Sequence, residues 1–151
     1  MDSQSHYFKV LAGVERPSRY MGDEFGQIAP PPEPRLRVGL GFPDVYEVGM
    51  SHLGFRLLHA GLCDRGDLQV ERFFLPWPDL QRRLQQTNTP LCTLERFVPL
   101  SQLHLLGLSV QYELALPSVL RLLDLAQIPR RAADRARSGG APLGSGAEGA
   151  R

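Results

Sequence analysis

Asp44, Tyr46, Glu47, Gly49 and His52 crowd into the stretch FPDVYEVGMSHLGFRLLHAG, Phe42 to Gly61. Carboxylates and a phenol in one loop can hydrogen-bond a polar ligand, and a glycine among them lets that ligand approach closely. An imidazole close behind, His52, raises the question of a working histidine in a ligand-binding turn. A second stretch, SVQYELALP, offers a similar set in Tyr112 and Glu113. A blander reading competes in both places: acids ahead of a helix offset the positive end of its dipole, and His52, falling in the first turn of a helix, only packs or caps. His59 and His104 read as packing or surface histidines. Cys63 and Cys92 form no CxxC pair, so they read as packed thiols rather than as a zinc or iron–sulfur site.

The elements that must position these residues follow from hydrophobic periodicity. Leu36, Val38, Leu40 and Phe42 alternate, as in a strand, and Gly39 and Gly41 leave its other face open to close approach. From Met50 the apolar positions Leu53, Leu57, Leu58 and Leu62 fall at helical spacing, with Ser51 as the expected cap and Gly66 as the stop. LQVERFFLPWPD supplies a second strand ending at Pro76. A short helix capped by Asp79 follows, with Leu80 and Leu84 turned inward, and Trp77 between two prolines reads as a wedge over the end of the sheet. PLCTLE is a candidate short strand, and LHLLGLSVQ is the most apolar strand in the chain. LPSVLRLLDLAQIP is then a helix, with Pro117 in its first turn and Pro129 beyond its end.

Strand and helix in alternation imply a parallel sheet covered on both faces. The expected architecture is a doubly wound, mainly parallel α/β sandwich of three layers, flavodoxin-like and incomplete at its C-terminus. In such sheets ligands bind at the carboxyl ends of the strands, where the strand order reverses. Here that rim comprises residues 43–49 and 111–114. Residues 1–34, with RPSRYMGDEFG and APPPEP, read as a poorly packed N-terminal arm. The folded domain is expected over 35–129. From Arg130 onward Ala, Gly, Arg and Ser dominate without a period, so 130–151 is expected to be a disordered tail. The alternation stops where a further strand is expected, which marks the chain as a piece of something longer; the tail is then a linker or an out-of-frame translation.

Composition excludes several classes. A net charge of +1 provides no broad basic surface for nucleic acid. No apolar run approaches the roughly 20 residues of a membrane span. The start, MDSQSHYFKV, lacks a basic segment followed by an apolar one, so no secretory signal is read and a cytoplasmic location is expected.

RPSRYMGDEFG, RVGLGFPDVYEVGMSHLGFRLL, ERFFLPWPDLQRRL and LGLSVQYELALPSVLRLLDLAQIP together resemble a known family. They are similar to the N-terminal region of radical S-adenosylmethionine (radical SAM) proteins that begin with a cobalamin-binding-like domain, over Arg16 to Pro129. The resemblance implies a further glycine-containing strand and then a barrel domain in the same chain. There a CxxxCxxC motif holds a four-iron cluster that cleaves S-adenosylmethionine. No segment here has that spacing, so no independent catalysis is expected, and whether the chain counts as an enzyme is left open. The resemblance also offers cobalamin as a ligand of the rim. Cobalamin domains that ligate cobalt through histidine use Asp-x-His-x-x-Gly; aligned on His52, this sequence has Met50 at the aspartate position and Gly54 one place early. Ser109 lies near where such domains set a serine against the nucleotide tail. The cofactor-binding candidates are therefore Asp44, Tyr46, Glu47, Gly49, His52, Ser109, Tyr112 and Glu113. Arg19, Tyr20 and Glu24 match the resemblance without an assigned role. The alternatives to a cofactor-side domain are a cofactor-free docking module for the barrel and an inactive truncated product.

Overall fold

The structure is a computed structural model and describes residues 3–25 and 27–137. Three parallel strands form its centre: β1 (Leu36–Phe42), β2 (Leu68–Phe74) and β3 (Leu105–Leu108). They lie in the order β2-β1-β3. β1 pairs with β2 from Leu36↔Leu68 to Phe42↔Phe74 and with β3 from Val38↔Leu105 to Gly41↔Leu108. The strand order therefore reverses beside β1, as the doubly wound reading expected.

Alternation along the strands sends successive side chains to opposite faces. Leu40, Phe42, Val70 and Phe74 join a buried cluster with Phe55, from helix α3 (Leu53–Cys63). Phe73 and Leu106 belong to the other cluster, with residues of α1 (Ser3–Leu11), α4 (Pro78–Gln86) and α5 (Leu116–Leu125). Helices thus cover both faces. On the second face β1 presents Arg37, Gly39 and Gly41, and larger neighbours occupy the space the two glycines leave. A Cβ on Gly39 would stand 2.7 Å from Leu103 Cδ1, and one on Gly41 would stand 2.3 Å from the Phe73 ring.

Several local readings shift. The long helix expected from Met50 is two: α2 (Tyr46–Ser51) and α3, separated by His52 in extended conformation at φ −79°, ψ 107°. Ser51 ends α2, its hydroxyl donating to Val48 O at 2.8 Å, and does not cap α3. α4 starts at Pro78 with Trp77 at the cap position, because a proline is pre-set for the first helical residue. Asp79 lies one residue inside, and its carboxylate accepts from the backbone N–H of Leu80 at 2.8 Å and of Glu15 at 2.9 Å. PLCTLE contributes a single antiparallel bridge, Cys92 to Pro99. It shields the outer edge of β2: Leu94 N donates to Arg72 O at 2.8 Å, and the Glu95 carboxylate accepts from Arg72 N at 2.7 Å. Beneath it the buried Glu71 carboxylate accepts from the Gln69 amide and the Thr93 hydroxyl.

The larger correction concerns the N-terminus. Residues 1–34 are not uniformly loose: Tyr7, Val10, Leu11 and Val14 are buried in the main cluster, and α1 packs on α4. Further on, a tight helical turn at Pro17–Tyr20 begins a strap that crosses the carboxyl end of the sheet. At the other end Ala132–Arg137 form a short helix, α6, while the rest of the expected tail, 138–151, lies outside the described residues. No helix among the described residues is long and apolar enough to cross a membrane.

Candidate functional site

The loops after β1 and β3 emerge side by side, because those strands are neighbours. Ser109 N donates to Gly41 O at 2.9 Å, and Leu75 N donates to Asp44 O at 2.9 Å, tying the three strand ends together. The Asp44 carboxylate accepts from Val45 N at 2.7 Å and so fixes the turn into α2.

The first turn of α2 faces the strap. The Tyr46 hydroxyl donates to Glu24 Oε1 at 2.5 Å, and its ring stands edge-on to Phe74 at 5.6 Å. Burial, then the bond to Glu24, pushes the Tyr46 phenol up to about 12. Glu47 takes Arg19 Nε at 2.5 Å on one oxygen and Trp77 Nε1 at 3.2 Å on the other. Arg19 also lies 4.4 Å over the Trp77 ring, a cation–π contact that orients the guanidinium as well as attracting it. Tyr20 Oη accepts from Trp77 N at 3.1 Å. Burial works against ionisation of Glu47, but bonds from its own backbone N–H, Trp77 and Arg19 outweigh it and hold the carboxyl below its ordinary range. Gly49 is buried, and a side chain there would collide with the Phe74 ring.

The loop after β3 behaves differently. Ser109 Oγ accepts from Gln111 Nε2 at 2.7 Å. Tyr112 is 54% exposed, and Glu113 opens the turn Glu113–Ala115 on the surface. Val110, Leu114, Leu116 and Leu120 are exposed as well, Leu114 at 83%, so the rim beside β3 carries exposed apolar side chains alongside Gln111, Tyr112 and Glu113. The eight sequence candidates therefore divide. Tyr46 and Glu47 are spoken for by the strap, Asp44 and Gly49 serve the backbone, Ser109 holds Gln111 and His52 caps α3, while Tyr112 and Glu113 have no side-chain partner among the described residues. No hydrogen bond or ring contact among the described residues joins Tyr46 to Tyr112. The rim partners that sequence reading left without a role are Arg19, Tyr20 and Glu24. The signal that could have found them was charge complementarity, one arginine and one acid on the arm against the acid and phenol of the loop.

His52 has a definite task. Its Nδ1 accepts from Phe55 N at 3.2 Å, capping α3, and its ring lies 5.2 Å from that of Phe42. A neutral imidazole that accepts at Nδ1 carries its proton on Nε2, which then has no lone pair for a metal. Met50, at the position of a supporting aspartate, is engaged instead by Arg72 Nη1, 3.3 Å from its sulfur. The residues present do not fit a histidine-ligated cobalamin.

His59, His104 and the two cysteines have local contacts instead. His104 Nδ1 accepts from Arg37 N at 3.0 Å at the start of β3. His59 lies 3.7 Å from Cys63 Sγ. Burial raises the Cys63 thiol, and burial followed by the nearby Glu71 takes Cys92 to about 12, so neither is a thiolate at neutral pH. Among the described residues no group of three or more His, Cys, Asp or Glu is placed to hold a metal.

Residues 54–144, more than half of the chain, match the family model described as radical SAM proteins, N-terminal. No curated protein and no solved structure matches.

Proposed function

Because this chain belongs to the family of radical SAM proteins, N-terminal, we propose that it is a non-catalytic accessory domain that docks, without a cofactor of its own, against a radical SAM catalytic domain. In such enzymes S-adenosylmethionine and a cysteine-bound four-iron cluster supply the radical. The two cysteines here are buried or half-buried and far apart in sequence, so the chain's contribution is a surface rather than a reacting group.

One observation carries this reading: the exposed apolar side chains of the rim at the free side of β3, Val110, Tyr112, Leu114, Leu116 and Leu120, interrupted by Gln111 and Glu113. Leu116 and Leu120 stand one helical turn apart on α5 and share a face. Apolar residues gathered in this way mark interaction sites. The geometry of His52 supports the cofactor-free form, since its ring is committed to the cap of α3.

Mixing the chain with a separately expressed radical SAM catalytic domain of the same family is expected to give a complex in sedimentation. Leu114→Ser should weaken it about tenfold, the effect of removing one leucine contact worth about 1.5 kcal/mol. Absence of a complex, or one indifferent to Leu114→Ser and Leu116→Ser, removes the docking reading. Hydroxocobalamin added to the chain is expected to leave its visible spectrum unchanged. A spectral shift that disappears in His52→Ala would restore the cofactor reading.

A further inference from the structure

A groove of about 540 Å³ lies on the opposite helical layer, between α3 and the segment that follows the strap. This is within the size range of small-molecule sites. Ile28 forms one wall, Leu53 and Leu57 form the other, and Met50 and the buried Arg72 lie deeper. Both leucines are more than 60% exposed, at 65% and 63%, so the groove presents apolar surface that the fold does not cover.

Its charges are unequal in their commitments. Glu24 keeps its negative charge, with one carboxylate oxygen turned to the Tyr46 hydroxyl. Arg72 is paired with Glu95 at 2.6 Å, and both side chains are nearly buried. Arg56 lines the groove, is exposed, and has no side-chain partner among the described residues. One cation without a counter-ion beside an apolar channel complements one negative charge on an apolar body. We infer that this groove binds a small amphipathic monoanion, an acyl chain or ring system bearing a single carboxylate or sulfonate, with its charge at Arg56 and its apolar part between Leu57 and Ile28. The site is independent of the docking rim, and neither proposal requires the other.

The test uses the full chain and the fluorescent probe 8-anilinonaphthalene-1-sulfonate, displaced by decanoate or by 1-decanol. Saturable fluorescence is expected, with decanoate the stronger competitor. Arg56→Gln should weaken decanoate by roughly threefold, as expected for one exposed charge contact, and leave decanol unchanged. Leu57→Ser should weaken both competitors, whereas Leu58→Ser, on α3 but outside the groove, should change neither. All three positions are exposed, so the fold is not at stake. Absence of saturable binding overturns the proposal. So does indifference to both groove variants, or an equal loss in Leu58→Ser, which would assign the probe to the helix surface at large.

Discussion

His59 illustrates how one side chain couples this fold to pH. It is half-buried on α3, and burial first, then the nearby Arg72, outweighs a hydrogen bond to the Val70 backbone and lowers its pKa to about 4. Once unfolded, the same ring titrates near 6.5. Between those values the unfolded chain holds the extra proton, so His59 supports the fold fully above pH 6.5 and withdraws that support as pH falls towards 4. Partial exposure discounts the effect to about 1–2 kcal/mol. The urea midpoint should therefore fall further between pH 7.5 and 5 in the natural chain than in His59→Gln; equal losses would show that His59 remains accessible to protons. Sequence could mark this histidine as a packing residue. It could not reveal the buried Arg72 beside it, since the two come together only when α3 lies on β2.

At the scale of elements, periodicity made much of the fold legible. The alternation through Leu36, Val38, Leu40 and Phe42 identified β1, and Pro117 and Pro129 bracketed α5. The break between α2 and α3 was hidden, because Met50, Leu53 and Leu57 keep helical spacing through a residue whose backbone is extended. Periodicity records which side chains turn inward and is blind to a single ψ angle. The glycines of β1 were readable as open space, although the filler was not. Phe73, from β2, reaches across Gly41. Gly41→Ala should cost about 1–3 kcal/mol through overpacking, and Phe73→Leu in the same chain should recover part of it. Thermal unfolding of the two single variants and the double variant would measure the coupling. Additive losses would mean that the ring is not the obstacle.

For the whole molecule, the decisive element is the one composition hid. Prolines between Pro30 and Pro34 suggested a poorly packed arm, yet Tyr7, Val10, Leu11 and Val14 carry the i, i+3, i+4, i+7 signature of a helix with one buried face. Partners for that face come from distant sequence: α4 lies against α1, and the Tyr7 and Phe8 rings meet Phe97 at 6.0 and 4.7 Å. The strap then continues across the rim and fastens there through Arg19, Tyr20 and Glu24, so the N-terminal segment both completes the core and occupies the side of the rim next to β2. If α1 is core, its two faces must differ sharply in cost. Leu11→Ala, at a position only 1% exposed, should lose about 2–4 kcal/mol of stability. Lys9→Ala, on the exposed face of the same helix, should stay within about 0.5 kcal/mol. Urea unfolding of both variants decides the matter. Equal, small effects would return α1 to the status of an arm and leave the face of α4 beneath it for another domain to cover.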